Sequence, residues 1–218
     1  MYYCKVNQRT ELKSLKPADA QELFDLIDRN RSHLRTWHPW VDVVRSMGDI
    51  EIAIAAWQLQ ESQDAGIHAG IWYEGQLCGV INHMNVDWAN RICALTYWLD
   101  SIHQGKGIMT ECCRRFITHA FEEWKLNRIT IECATGNLRS RAIPERLGFR
   151  IEGIIRSIEW LHDYYADHAI YGLLSSEFEA DELKNSIKLN FNPKVNEPFL
   201  KSHVCGQEML QPHVCSMN

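Results

Sequence analysis

Apolar positions along this chain repeat with two periods, and the changes of period mark its elements. From Met109 the residues Cys112, Cys113, Phe116, Ile117, Ala120, Phe121 and Trp124 follow at i+3, i+4, i+7, i+8, i+11, i+12 and i+15. That is one wide stripe, and it predicts a long amphipathic helix. Before it, Ile67 to Tyr73, Leu77 to Val86 and Ile92 to Leu99 read as strands, separated by Glu74-Gly75 and Asn90-Arg91 turns. Earlier still, Glu11 to Leu15 reads as a strand stopped by Pro17. Asp19 then caps a helix with Ala20, Leu23, Phe24 and Ile27 on one face, and Asp49 caps another with Ile50, Ala53, Ile54 and Trp57 inward. After the long helix, Arg128 to Ala134 reads as a strand. A short helix from Asn137 to Gly148 follows, with Pro144 near its first turn. Phe149 to Trp160 and Asp167 to Leu174 close the pattern as strands around Asp163-Tyr164-Tyr165. The order β-α-α-β-β-β-α-β-α-β-β predicts a mixed α/β layer fold on a central sheet. The strand–helix–strand step across the long helix predicts a parallel crossover.

Composition narrows the class. In 218 residues, 45% are hydrophobic, enough for one domain core. The pattern is complete near residue 180, so residues 1–180 are expected to form the domain and 181–218 a polar, flexible extension. No run of eighteen apolar residues predicts a membrane span, and Met1 to Asn7 has no apolar signal core, so the expected location is cytoplasmic. Cys78, Cys93, Cys112, Cys113 and Cys133 lie inside apolar runs, where a reduced thiol acts as a small hydrophobe. The net charge of −5 argues against nucleic acid as a partner. His203-Val204-Cys205 and His213-Val214-Cys215 repeat in the tail, but a one-residue His–Cys spacing is not a common zinc pattern, and no metal is expected.

The candidate chemistry centres on Tyr97-Trp98-Leu99-Asp100-Ser101-Ile102-His103-Gln104-Gly105-Lys106-Gly107-Ile108-Met109. A strand end, a turn with two glycines and a helix start point several free N–H groups at one place, a site for phosphate oxygens. The spacing is neither G-x-G-x-x-G nor a P-loop. A second unusual stretch runs from Asn30 to Asp42, where Trp37 and Trp40 flank His38-Pro39. It reads as a loop anchored by aromatics or as a pocket wall.

Gln104-x-x-Gly107-x-Met109 resembles the Q/R-x-x-G-x-G/A loop of the GNAT N-acetyltransferases, with Met109 departing from the final Gly/Ala, as is ordinary in the RimJ/RimL-like branch. Asn137-x-x-Ser140 followed by Leu147-Gly148-Phe149 is similar to that family's second motif, and Asn30 to Asp42 is similar to the branch's stretch beside the acceptor site. The resemblance covers about Leu12 to Leu174 and implies the GNAT acyl-CoA N-acyltransferase fold. It implies acetyl transfer from acetyl-CoA to a primary amine, most typically the N-terminal α-amine of a protein such as a ribosomal protein. A small-molecule or peptide-antibiotic amine, or an acyl-CoA sensor without turnover, stands as an alternative, and a homodimer is left open. Carried over residue by residue, Trp98, Leu99, Gln104, Gly105, Lys106, Gly107, Ile108, Met109, Asn137 and Ser140 would hold the coenzyme. Trp37 and Trp40 would border the acceptor. The tyrosine that many members place four residues before Gly-Phe is absent; that position holds Pro144, so Ser140 is the expected proton donor and Glu159 the expected base. His68, His83 and His162 are weaker candidates for the base.

Overall fold

The computed structural model describes residues 1–178. The expected boundary at residue 180, the flexible extension and the tail's His-x-Cys pairs lie outside the described residues. Eight strands form one sheet: β1 (Tyr3–Lys5), β2 (Thr10–Ser14), β3 (Ile67–Tyr73), β4 (Gln76–Asp87), β5 (Ile92–Leu99), β6 (Arg128–Ala134), β7 (Arg150–Leu161) and β8 (Tyr164–Leu174), in the order β1-β2-β3-β4-β5-β6-β8-β7. The helices are α1 (Ala20–Arg29), α2 (Arg31–Arg35), α3 (Met47–Ser62), α4 (Ile108–Thr118) and α5 (Leu138–Arg146). None of the helices among the described residues is long and apolar enough to cross a membrane.

Strand alternation splits the core between the two faces. On one face Cys93, Leu95 and Leu99 of β5 and Ile129, Ile131 and Cys133 of β6 pack under the α4 stripe of Met109, Cys112, Cys113, Phe116 and Ile117. On the other, Leu23, Leu26 and Ile27 of α1 and Ile50 and Ile54 of α3 cover Leu77 and Val80 of β4. A third, small cluster of Ala134, Leu161 and Ala166 lies under Trp37.

Several expectations need correction. β1 was not readable, being three residues long and paired only with β2. The Asn30–Asp42 stretch is not a plain loop but α2 followed by a 3-10 turn at Pro39–Asp42. The cap of α3 is Ser46; Asp49 is its partner three residues on, accepting from the Ser46 N–H in a capping box. The final hairpin turns at His162-Asp163, so Tyr164 and Tyr165 belong to β8. The α4 stripe ends in a π-helical turn at His119–Glu123. Pro144 is not at the start of α5 but inside it.

Candidate active site

The site forms where β5 and β6 part. They pair in parallel only at Ile92↔Arg128, Cys93↔Ile129 and Ala94↔Thr130. Beyond Ala94, β5 keeps β4 as its neighbour as far as Gly79↔Leu99, while β6 keeps β8 as far as Ala134↔His168. The facing edges of Leu95–Leu99 and Ile131–Ala134 are therefore unpaired with each other, and a backbone edge inside a fold needs a partner. The gap opens into a cleft of about 1070 Å³ whose wall includes Trp37, Trp98, Leu99, Gln104, Gly107, Asn137 and Ser140.

The mouth of the cleft is the glycine turn. Gly105 and Gly107 have φ of +75° and +78°, the left-handed region that favours glycine, and a Cβ at either would meet nothing within 4 Å. Gly107 is the N-cap of α4 and offers no side chain to its free N–H groups. Among the described residues, no backbone N–H from Gly105 to Met109 has a hydrogen-bond acceptor. The preceding turn is fixed from below. Asp100, buried near Arg29 and His103, accepts from the Ile102 N–H. The buried Asn30 side chain accepts from both the N–H and the hydroxyl of Ser101 at 3.1 Å.

Gln104 is held on both sides: Arg139 donates to its Oε1 at 2.7 Å, and its Nε2 lies 2.8 Å from Nε2 of His33. Arg146, two helical turns after Arg139, donates to the Thr110 hydroxyl at 2.8 Å. Arg139 and Arg146 both line the cleft. Lys106 does not; its ammonium lies 5.7 Å over the Tyr73 ring. The cations facing the open amides are thus two arginines that sequence reasoning missed, and their seven-residue spacing on one helix was the available signal.

Asn137 caps α5, its Oδ1 accepting from the Ser140 N–H at 3.2 Å. The Ser140 side chain is therefore not the cap; it contacts the sulfur of Cys133, a thiol that burial pushes up. Pro144 has no N–H for the Ser140 carbonyl. The Tyr97 hydroxyl replaces it, donating to that carbonyl at 3.1 Å. Burial raises the Tyr97 phenol well above its ordinary range, so it remains a donor.

On the acceptor side, Trp37 packs against Gly136, where a Cβ would come within 3.3 Å of its ring, and walls the cleft. Trp40 sits one layer out, its ring centroid 6.2 Å from that of Trp98. His38, also on the wall, is lowered to about 4 by burial and by His33, and is neutral at pH 7. Glu159 is not on the cleft wall. It sits opposite Ala166 in the β7–β8 hairpin and two residues before Leu161, which packs with Trp37 of the cleft wall. Glu159 Oε2 bonds His168 Nε2 at 2.9 Å. His68 and His83 are both lowered by burial, to about 4 and about 3. His83 packs on Phe116 in the core, and His162 bonds the Arg35 carbonyl, so neither faces the gap.

A splayed parallel pair ending on a turn of open amides is the architecture of a transferase that takes its acyl group from an acyl-coenzyme A. The acetyltransferase (GNAT) domain model matches residues 9–150, and the chain belongs to that family. It is similar to Bacillus subtilis (strain 168) YdaF, whose name marks it provisionally as a ribosomal N-acetyltransferase, with 40% identity over 84% of this chain and 100% of that one. The Escherichia coli (strain K12) ribosomal-protein-serine acetyltransferase is 29% identical over 77% of this chain and 93% of its own length. Among solved structures, the microcin C7 self-immunity acetyltransferase MccE, in complex with acetyl-CoA and AMP, superposes with a TM-score of 0.75 at 28% identity, covering 78% of this chain and 94% of that one. The protein is an N-acetyltransferase that uses acetyl-CoA. The open amides and the unpaired β5 edge fit that donor: Gly105 to Met109 would hold its diphosphate and Leu95 to Leu99 its amide-bearing arm.

Proposed function

We propose that this enzyme acetylates the N-terminal α-amine of a protein, and that ribosomal proteins are its acceptors. The observation that carries acetyl transfer is the row of unpartnered amides at the mouth of the β5–β6 gap. The choice of acceptor is supported by the names of the two relatives and by the chemistry of a single carboxylate base, read as Glu159. An α-amine titrates near ~8 and a lysine near ~10.4, so at neutral pH a lysine costs about 3 kcal/mol more to deprotonate. A single carboxylate suits the easier amine.

In this reading a backbone N–H at Trp98 or Leu99 stabilises the oxyanion. Glu159, directly or through water, takes the proton that the amine loses as its nitrogen bonds the acetyl carbon. Ser140 gives its hydroxyl proton to the thiolate as the carbon–sulfur bond breaks, and recovers it from Glu159 through water. Arg139 and Arg146 offset phosphate charge.

A screen with acetyl-CoA and mass spectrometry tests the acceptor, comparing N-terminal peptides of ribosomal proteins, lysine peptides, and small amines including aminoacyl nucleotides. Acetylation confined to peptide α-amines is the expected result. Acetylation confined to small amines would replace it with a detoxifying role like the one MccE is named for. Binding without any product would leave a sensor.

A further inference from the structure

We propose that His168 is a positioning residue that aims Glu159 at the acceptor amine; this rests on the reading of Glu159 as the base. The pairing of β7 with β8 slips between Ile155 and Glu159. Within the slip Ser157 takes a φ of +52°, and its N–H is accepted by Asp167 Oδ1 at 2.8 Å. A bulge of this kind re-aims the side chains that follow it. Here it brings Glu159 opposite Ala166, on the face that Leu161, Ala134 and Trp37 share. His168 is opposite Ala134 in β6, so it lies on that same face. Its Nε2 meets Glu159 Oε2 at 2.9 Å.

The consequence is a carboxylate with one oxygen held and one free. Glu159 Oε1 has no hydrogen-bond partner among the described residues, and the Glu159 side chain keeps about a third of its surface exposed while His168 keeps 16%. A free glutamate on a strand samples several rotamers, and a base must hold its lone pair in line with the proton it takes. An N–H on Nε2 of the imidazole holds one carboxylate oxygen and leaves the other free to accept a proton. Asp167 and His168, consecutive residues of β8, thus act together on Glu159. Asp167 sets the bulge, and His168 clamps the side chain that the bulge presents.

The test uses the full chain with acetyl-CoA and an N-terminal peptide. His168→Ala is expected to lower kcat about tenfold, as misplacement of a catalytic group does, with KM for acetyl-CoA unchanged. His168→Gln, which keeps an N–H donor, is expected to recover most of the rate. In a Glu159→Gln background His168→Ala should add nothing. A His168→Ala enzyme with wild-type kcat, a Gln variant as slow as Ala, or losses that multiply with Glu159→Gln would each overturn the proposal. If Glu159→Gln itself retains full activity, the base reading falls and the proposal with it. A readout independent of turnover is the ¹⁵N spectrum of His168 in the free enzyme. The Nε2–H tautomer supports the clamp, and the Nδ1–H tautomer overturns it whichever acceptor the enzyme uses.

Discussion

Replacing Gly107 by glutamate separates the anion site from the fold that carries it. Gly107 has a φ of +78°, and an L-residue held there costs about 1–2 kcal/mol. In the free protein nothing else opposes the change, because a Cβ at 107 has no atom within 4 Å. The expected loss of thermal stability is therefore modest, on the order of 2–8 °C. Binding should suffer far more. The new carboxylate stands among the amides of Gly105 to Met109, and a unit charge about 5 Å from one phosphate charge, at an effective dielectric near 20, costs about 3 kcal/mol. That is roughly two hundredfold in affinity before the second phosphate and the lost space are counted. Gly107→Ala carries the same backbone strain without the charge, so the two variants should melt alike and bind differently. Calorimetric titration with acetyl-CoA, beside thermal melts, reads both quantities. An affinity of Gly107→Glu within about threefold of wild type, at matched stability, would refute the assignment of these amides to the diphosphate.

Three further outcomes follow from the same geometry. Tyr97→Phe should cost about 1 kcal/mol in urea unfolding, and less in a Pro144→Ala background, where residue 144 regains an N–H for the Ser140 carbonyl; strictly additive losses would show that the hydroxyl is not standing in for the missing amide. Glu159→Gln should depress turnover most at low pH, where little neutral amine exists, and a wild-type pH–rate profile would move the base elsewhere. The buried His68 and His83 are lowered to about 4 and about 3 in the folded protein against about 6.5 unfolded, so the unfolded chain binds more protons as pH falls below 6.5. Their contribution is fully present above pH 6.5 and is lost progressively from there down toward pH 3; the melting temperature should fall over that window, and His68→Gln should flatten the fall.

The elements legible in the sequence were those whose period repeats long enough to be unambiguous: β3 to β6, α1, and the stripe of α4. The glycine turn was legible because two glycines before a helix start leave few other uses for the backbone. What failed to show was set by partners distant in sequence. Pro144 looked like a first-turn residue because the hydroxyl that lets it sit inside α5 belongs to Tyr97, on another element. Lys106 was expected among the residues that hold the coenzyme because it lies between the glycines, yet with a positive φ on either side its ammonium reaches Tyr73. Arg139 and Arg146 face the amides instead, because α5 packs beside the start of α4. Glu159 was picked out by motif, but its orientation depends on a bulge held by Asp167, and a slip in register leaves no mark in a run of alternating residues.

The coincidence of the gap and the anion site has a single topological cause. Of the seven strand pairs among the described residues, six are antiparallel and β5–β6 alone is parallel. A parallel neighbour requires a crossover, and α4 is that crossover: it leaves from the end of β5 and delivers the chain to the start of β6. Its N-terminus must therefore lie at the end of β5, which is also where the two strands have diverged. Amides without acceptors and a strand edge without a neighbour are placed side by side by the same connection. A chain that zipped Leu95–Leu99 onto Ile131–Ala134 would satisfy the edge internally and close the cleft beside Trp98. The tight pairing is confined to Ile92 to Ala94, and the end of β5 is tied instead to elements outside the sheet: the Asn30 side chain holds Ser101, and Tyr97 of β5 donates to the Ser140 carbonyl of α5. The geometry on which acetyl transfer depends thus rests on ties between the end of β5 and the helices beside the sheet.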